Sequence, residues 1–123
     1  MRNLFLHAAF VDLNTNSLLV ERSSFHVPSL MHNGSWNYKG TLLRYCNELF
    51  NVNCEDEGTL IDAYQSGEAD TVNLLYRFNY RVCARPTVFS NKTWEYISLE
   101  YLNKTTITGT GNIIANKLMR YQK

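Results

Sequence analysis

The sequence predicts an α+β domain in which an antiparallel sheet of about four strands packs against two or three short helices. Three observations carry this. Two apolar, β-rich runs flank a cluster of turn formers near the start, and hydrophobic residues recur at helical spacing from Tyr38. A strict two-residue alternation then runs through "VNLLYRFNYRVC". A chain of 123 residues with 45% hydrophobic content is the size of one ordinary domain, so residues 1–123 are expected to fold around their own core.

The runs "LFLHAAFVDL" and "LLVERSSFHV" are separated by "NTNS" and read as a hairpin. The first run is apolar on both faces, which marks a central strand rather than an edge. "VPSLMHNGSW" holds Pro28 and the Asn33-Gly34 pair, the signals of a loop. From Tyr38 onward, Leu42, Tyr45, Cys46 and Leu49 form the stripe of an amphipathic helix, with Lys39, Arg44, Asn47 and Glu48 on its other side.

A second, shorter helix is expected over "TLIDAYQS", ended by Gly67. In "VNLLYRFNYRVC", Val72, Leu74, Tyr76, Phe78, Tyr80 and Val82 form one apolar face of a twelve-residue strand. The other face then presents Arg77, Asn79 and Arg81 in a row. "TWEYISLEYL" reads as a partner strand, with a helix from Asn91 as the alternative because Trp94, Ile97 and Tyr101 also share a helical face.

The segment "GTGNIIANKLMRYQK" begins like a glycine-rich nucleotide loop, but Ile114 stands where a dinucleotide fingerprint needs its third glycine. The plainer reading is a turn into a last helix through Ile114, Leu118 and Tyr121, capped by Thr110 or Asn112. Lys117, Arg120 and Lys123 fall toward its C-terminal end, where they complement the helix dipole.

The net charge of +1 conceals a segregation along the chain. Residues 45–70 hold Glu48, Glu55, Asp56, Glu57, Asp62, Glu68 and Asp70 without one Lys or Arg, whereas residues 71–123 hold eight basic residues against Glu95 and Glu100. This predicts an acidic helical region and a basic sheet region, a layout that speaks of partners rather than of fold.

Complete catalytic and metal motifs are missing from the sequence. "NVNCEDEGTLIDAY" resembles a calcium loop until its twelfth position, which is Tyr64 instead of a bidentate glutamate. Cys46, Cys54 and Cys83 lack ligand spacing and fit reduced thiols, with Cys46 buried on its helix. No cofactor and no metal site is expected. His7 lies inside an apolar strand and reads as a satisfied core histidine, while His26 and His32 flank Ser29, with Asn33 and Ser35 nearby. The start lacks a signal-peptide cleavage pattern and no run is long enough to span a membrane, so a cytoplasmic location without membrane partner is expected.

These features predict a non-enzymatic, macromolecule-binding protein, a stoichiometric inhibitor or adaptor. Its traits are similar to those of small accessory proteins, including those phages encode to block host factors. The expected contacts are Arg77, Asn79, Arg81 and Arg85 on the basic strand face and Glu55, Asp56, Glu57 and Asp62 in the acidic segment, with residues 48–70 facing a basic protein surface. Homo-oligomers are compatible with this reading. Two alternatives belong to other classes: RNA or single-stranded nucleic acid on the Arg77 and Arg81 face, and a small enzyme using the loop from His26 to Ser35. For the arginines, the competing structural role is internal neutralisation, by Glu95 and Glu100 on the returning strand or by the chain's own acidic segment.

Overall fold

The computed structural model describes residues 3–32, 37–55, 58–65, 71–79, 81–82, 86–105 and 109–121. Among them the order of elements is β1 (Asn3–Asp12), β2 (Ser17–Glu21), β3 (Ser29–His32), α1 (Tyr38–Phe50), β4 (Thr59–Gln65), β5 (Thr71–Phe78), β6 (Thr87–Phe89), β7 (Lys92–Ser98), α2 (Leu99–Lys104) and α3 (Thr110–Tyr121). The class is α+β, but the sheet has seven strands rather than about four and is partly parallel. The strand order is β4-β5-β1-β2-β7-β6, with β3 also on β1.

The opening hairpin forms as expected, and β1 is central. Its partner along the whole of one edge is β5, in parallel register from Asn3 opposite Thr71 to Phe10 opposite Phe78. Parallel neighbours need a long crossover, and α1 with β4 supplies it. The other edge of β1 is shared. Strand β2 takes only Val11 and Asp12, and β3 takes Leu4 through His7. The stretch expected as a loop is therefore a short strand, for Pro28 stands just before it, where a missing N–H is harmless, and its own carbonyl accepts from Ala8 N–H at 2.9 Å.

Helices cover both faces of the sheet. On one side Leu6, Ala8, Phe10, Tyr76 and Phe78 meet Leu42, Cys46 and Phe50 of α1, together with Leu19 and Trp94. Phe10 stacks on Phe78 at 4.9 Å, and Phe50 meets Phe10, Phe89 and Trp94 edge to face. On the other side Ala9, Val11, Leu18, Val20 and Leu75 pack against Leu99 and Leu102 of α2 and Ile114, Ala115 and Leu118 of α3.

Helix α1 runs over the expected stripe. The Asn37 side chain accepts from Gly40 N–H at its start, and Asn51 closes it in the left-handed conformation at φ 52°. Burial pushes the Cys46 thiol up to about 12, the behaviour of an inert core thiol.

Three expectations are corrected by tertiary packing. The segment "TLIDAYQ" is strand β4, not a helix. A register shift between Leu60 and Asp62 lets Ile61 and Tyr64 face the same core, so a β-bulge produces the three-residue spacing that imitates a helix. The alternating strand β5 stops at Phe78 instead of running to Cys83, and on its second face Asn73 and Leu75 are buried, Leu75 in the core shared with α2 and α3. "TWEYISLEYL" divides at Ser98, which ends β7 and caps α2 by accepting from Tyr101 N–H.

Helix α3 runs through the expected Ile114 and Leu118 but starts at Thr110, so Thr110 and Asn112 are helical residues rather than its cap, and the glycines at its start serve close approach. Gly111 N–H donates to Phe25 O at 2.7 Å, and a Cβ on Gly111 would lie 2.2 Å from that oxygen. Thr110 Oγ1 accepts from Val27 N–H at 2.9 Å, so the helix start is stitched to the chain following β2.

Candidate active site

The forked edge of β1 opens a cleft. Strands β1 and β2 stay paired for two residues beside their turn and then separate, β1 toward β3 and β2 toward β7. The gap holds a cavity of about 590 Å³, a size suited to a small molecule. Phe5, His7, Ser29 and Asn73 line it from the β1 side, Glu21, Lys92 and Trp94 from the β2 side, and Tyr45 and Leu49 from α1.

Strand register gathers the polar group at its wall. Ser29 sits directly opposite His7 in the β1–β3 pair, and Asn73 is opposite Phe5, two positions away on the same side of β1. The three side chains therefore converge from residues far apart in sequence. His7 Nδ1 lies 2.7 Å from Ser29 Oγ, and His7 Nε2 lies 2.7 Å from Asn73 Oδ1. Asn73 Nδ2 donates to Tyr64 O at 3.3 Å, which leaves Oδ1 as the acceptor facing the ring. Nε2 thus carries the proton, and in the neutral ring Nδ1 is a lone pair aimed at Ser29.

Burial lowers the His7 pKa; the hydrogen bond to Asn73 opposes this and the charge of His26 adds to it. The neutral form is the resting form at pH 7. The Ser29 hydroxyl has a second acceptor, Val27 O, at 3.1 Å. Phe5 and Tyr64 flank the imidazole at centroid distances of 6.3 and 6.4 Å and hold its plane.

The remaining polar walls have other tasks. Glu21 is held below the usual carboxylate range, first by the Ser23 hydroxyl and further by the Ser23 and Ser24 amides, against the opposing effect of burial. His26 Nδ1 accepts from Thr110 N–H at 3.1 Å. The indole Nε1–H of Trp94 is buried and has no hydrogen-bond partner among the described residues. No group of three or more His, Cys, Asp or Glu side chains placed to hold a metal ion occurs among the described residues.

The residues expected to contact a partner do not converge on this cleft. Arg77 is half-buried and its Nε donates to Asn79 Oδ1 at 3.2 Å. Arg81 binds Asp12 and covers the ring of Tyr96 at 4.5 Å. Neutralisation by Glu95 and Glu100 is corrected, because Glu95 pairs with Arg22 at 3.3 Å and Glu100 with Lys104 at 2.8 Å. Glu55 is exposed, and Asp62 pairs with Lys117 at 2.7 Å on a strand rather than in an acidic helical region. Arg85, Asp56 and Glu57 lie outside the described residues.

Of the suspected polar loop, His26 and Ser29 line the cleft, whereas His32 turns away against Tyr38 at 4.9 Å. Asn33 and Ser35 lie outside the described residues. His7 was legible as a core histidine, and it is buried and hydrogen-bonded. Its partners were not legible, because they depend on strand register.

No protein-family model matches the sequence, and no curated protein does. Among solved structures the chain is similar to the crystal structure of a MutT protein from Methanosarcina mazei Go1. The TM-score is 0.60 at 15% identity, over 97% of this chain and 91% of the other. At that identity the likeness shows the fold. A MutT protein shares this fold, and that finding corrects the expectation of a non-enzymatic inhibitor or adaptor. Of the arginines expected on a nucleic-acid face, Arg81 is paired with Asp12. Among the described residues no helix is long and apolar enough to cross a membrane.

Proposed function

We propose that this chain is a hydrolase acting on a small molecule held in the cleft between the diverging strands β1 and β2, with His7 as the proton acceptor. The observation that carries this reading is the state of His7: one nitrogen is bound to Asn73, the other is a lone pair facing Ser29 Oγ at 2.7 Å, and burial keeps the ring neutral. The cleft supports it chemically. Phe5, Tyr45, Leu49 and Trp94 offer apolar and aromatic surface, while Lys92 offers a donor to a polar end. The likeness to a MutT protein supports hydrolysis as the reaction class.

In this mechanism the substrate's apolar part lies against the aromatic wall and its reactive centre reaches the Ser29–His7 side. Nδ1 takes a proton from the attacking oxygen, and Asn73 keeps the ring from rotating and fixes which nitrogen is basic. The test is a panel of carboxylic esters, phosphate esters and phosphoanhydrides, assayed with the wild type and with His7→Gln. The expected result is turnover of one class that falls about a hundredfold or more in the folded variant. Turnover that is equal in the two proteins, or absent from all three classes, overturns the reading.

A further inference from the structure

The attacking oxygen in that mechanism has two possible sources, water or the protein. Ser29 stands closest to the base. Its Oγ is 2.7 Å from His7 Nδ1, it is half-buried, and it lines the cleft where His7 and Asn73 do. We infer that Ser29 is a catalytic nucleophile, His7 its general base and Asn73 a positioning residue, an arrangement that forms a covalent acyl-serine from a small carboxylic ester. This inference rests on the hydrolase reading of the same cleft.

The geometry meets the requirements of an activated nucleophile one by one. A serine hydroxyl is a weak nucleophile until a base within hydrogen-bond reach takes its proton, and that base needs a third group to orient it. Asn73 Oδ1 orients the ring, and Tyr64 O in turn orients Asn73. The backbone also fixes Ser29, because β3 is anchored to β1 along Leu4 to His7 and Pro28 restricts the chain just before it. Neutral Asn at the third position, in place of a carboxylate, supplies orientation without charge. The base therefore stays weakly basic and is unprotonated at pH 7.

The reaction balances without any added group. Ser29 Oγ attacks the ester carbonyl carbon, forming a C–O bond, while its proton passes to His7 Nδ1. The tetrahedral intermediate collapses, the bond to the leaving alcohol breaks, and the proton on Nδ1 goes to that alcohol. Water then attacks the acyl-serine carbonyl with Nδ1 again as base, and the acid and the free Ser29 hydroxyl are released. The aromatic and aliphatic lining from Phe5, Tyr45, Leu49 and Trp94 favours an ester with an apolar acyl or alcohol group.

The probe is a fluorophosphonate, which phosphonylates activated serines with loss of fluoride, with the modified peptide identified by mass spectrometry. Labelling of Ser29 is expected, lost in Ser29→Ala and reduced at least tenfold in His7→Gln. Should His7→Gln not fold, Asn73→Asp provides the second measurement. A carboxylate at Nε2 raises the pKa of the ring, so the pH at which labelling reaches half its maximum moves upward. A purely structural Ser29 would give no labelling at any pH. Absence of labelling, labelling of a different serine, or an unmoved pH profile in Asn73→Asp overturns the inference.

p-Nitrophenyl esters of two to eight carbons separate this inference from the hydrolase reading. A burst of nitrophenol that disappears in Ser29→Ala supports both. Hydrolysis that survives Ser29→Ala at the wild-type rate overturns Ser29 as nucleophile and leaves the cleft a hydrolase that uses water. Ser29 labelling in a protein without turnover on any substrate class supports the activated serine and overturns the hydrolase reading.

Discussion

Lys117 Nζ lies 2.7 Å from Asp62 Oδ2 and 4.2 Å from the centroid of the Tyr64 ring, so one ammonium on α3 ties down two residues of the edge strand β4. Both charged side chains are mostly covered, at 21% and 23% exposure, which makes the contact stronger than a solvated surface pair. It also joins the acidic segment to the basic C-terminal helix, converting a charge segregation along the sequence into an internal contact. Lys117→Met is expected to cost about 1–2 kcal/mol, the sum of a partly buried ion pair and a cation–π contact. Chemical denaturation of Lys117→Met, Asp62→Asn and the double variant would give a positive coupling energy. Strict additivity would show that the pair contributes nothing.

Arg81 binds Asp12 and lies over Tyr96, linking the end of β1, the chain after β5 and β7. Arg81→Glu sets two carboxylates against each other and removes the contact with the ring. A loss of about 1–2 kcal/mol is expected, read as a lower midpoint in a thermal melt followed by circular dichroism. Asp12→Lys combined with Arg81→Glu should recover part of it. An unchanged midpoint in the single variant would mean that the pair is solvated and inert.

Gly111 leaves no room for a side chain. A Cβ there would meet Phe25 O at 2.2 Å and Val20 Cγ1 at 2.9 Å, the first a backbone atom that cannot rotate away. Although Ala favours a helix over Gly by roughly 1 kcal/mol, Gly111→Ala is expected to destabilise the protein by about 2–4 kcal/mol, because α3 must lift from the Phe25 carbonyl. Urea unfolding measures this directly, and a neutral or stabilising result would place α3 farther from that carbonyl.

His7 sets an acid limb of stability. Its folded pKa is lowered by burial, so below the ordinary histidine value near 6.5 the unfolded chain binds the proton first. Stability attributable to His7 is therefore complete above pH ~6.5 and is lost as pH falls toward the lower folded pKa, with a slope of at most about 1.4 kcal/mol per pH unit. His7→Gln keeps a polar side chain and removes the titration. Its stability between pH 7.5 and 5 is expected to fall less steeply than that of the wild type, with His26 and His32 common to both. Identical slopes would assign the acid limb to other groups.

What the sequence determined by itself was local. Turn formers between apolar runs specified the β1–β2 hairpin, a 3.6-residue stripe specified α1, and the glycine turn with its apolar repeat specified α3, because each signal depends on neighbours within one or two turns of chain. Tertiary structure decided the rest. Ile61 and Tyr64 carry helical spacing, yet a bulged edge strand satisfies that spacing equally well once β5 offers a hydrogen-bonding ladder. Asn73 and Leu75 look like one side of an amphipathic strand with a wet face, but both are buried, Leu75 in the core shared with α2 and α3 and Asn73 against His7. His7, Ser29 and Asn73 belong to three strands, and their meeting depends on a register set by the forked edge of β1. A one-residue slip in either pairing would turn a partner to the opposite face, and periodicity within a single strand holds no information about the register of the next.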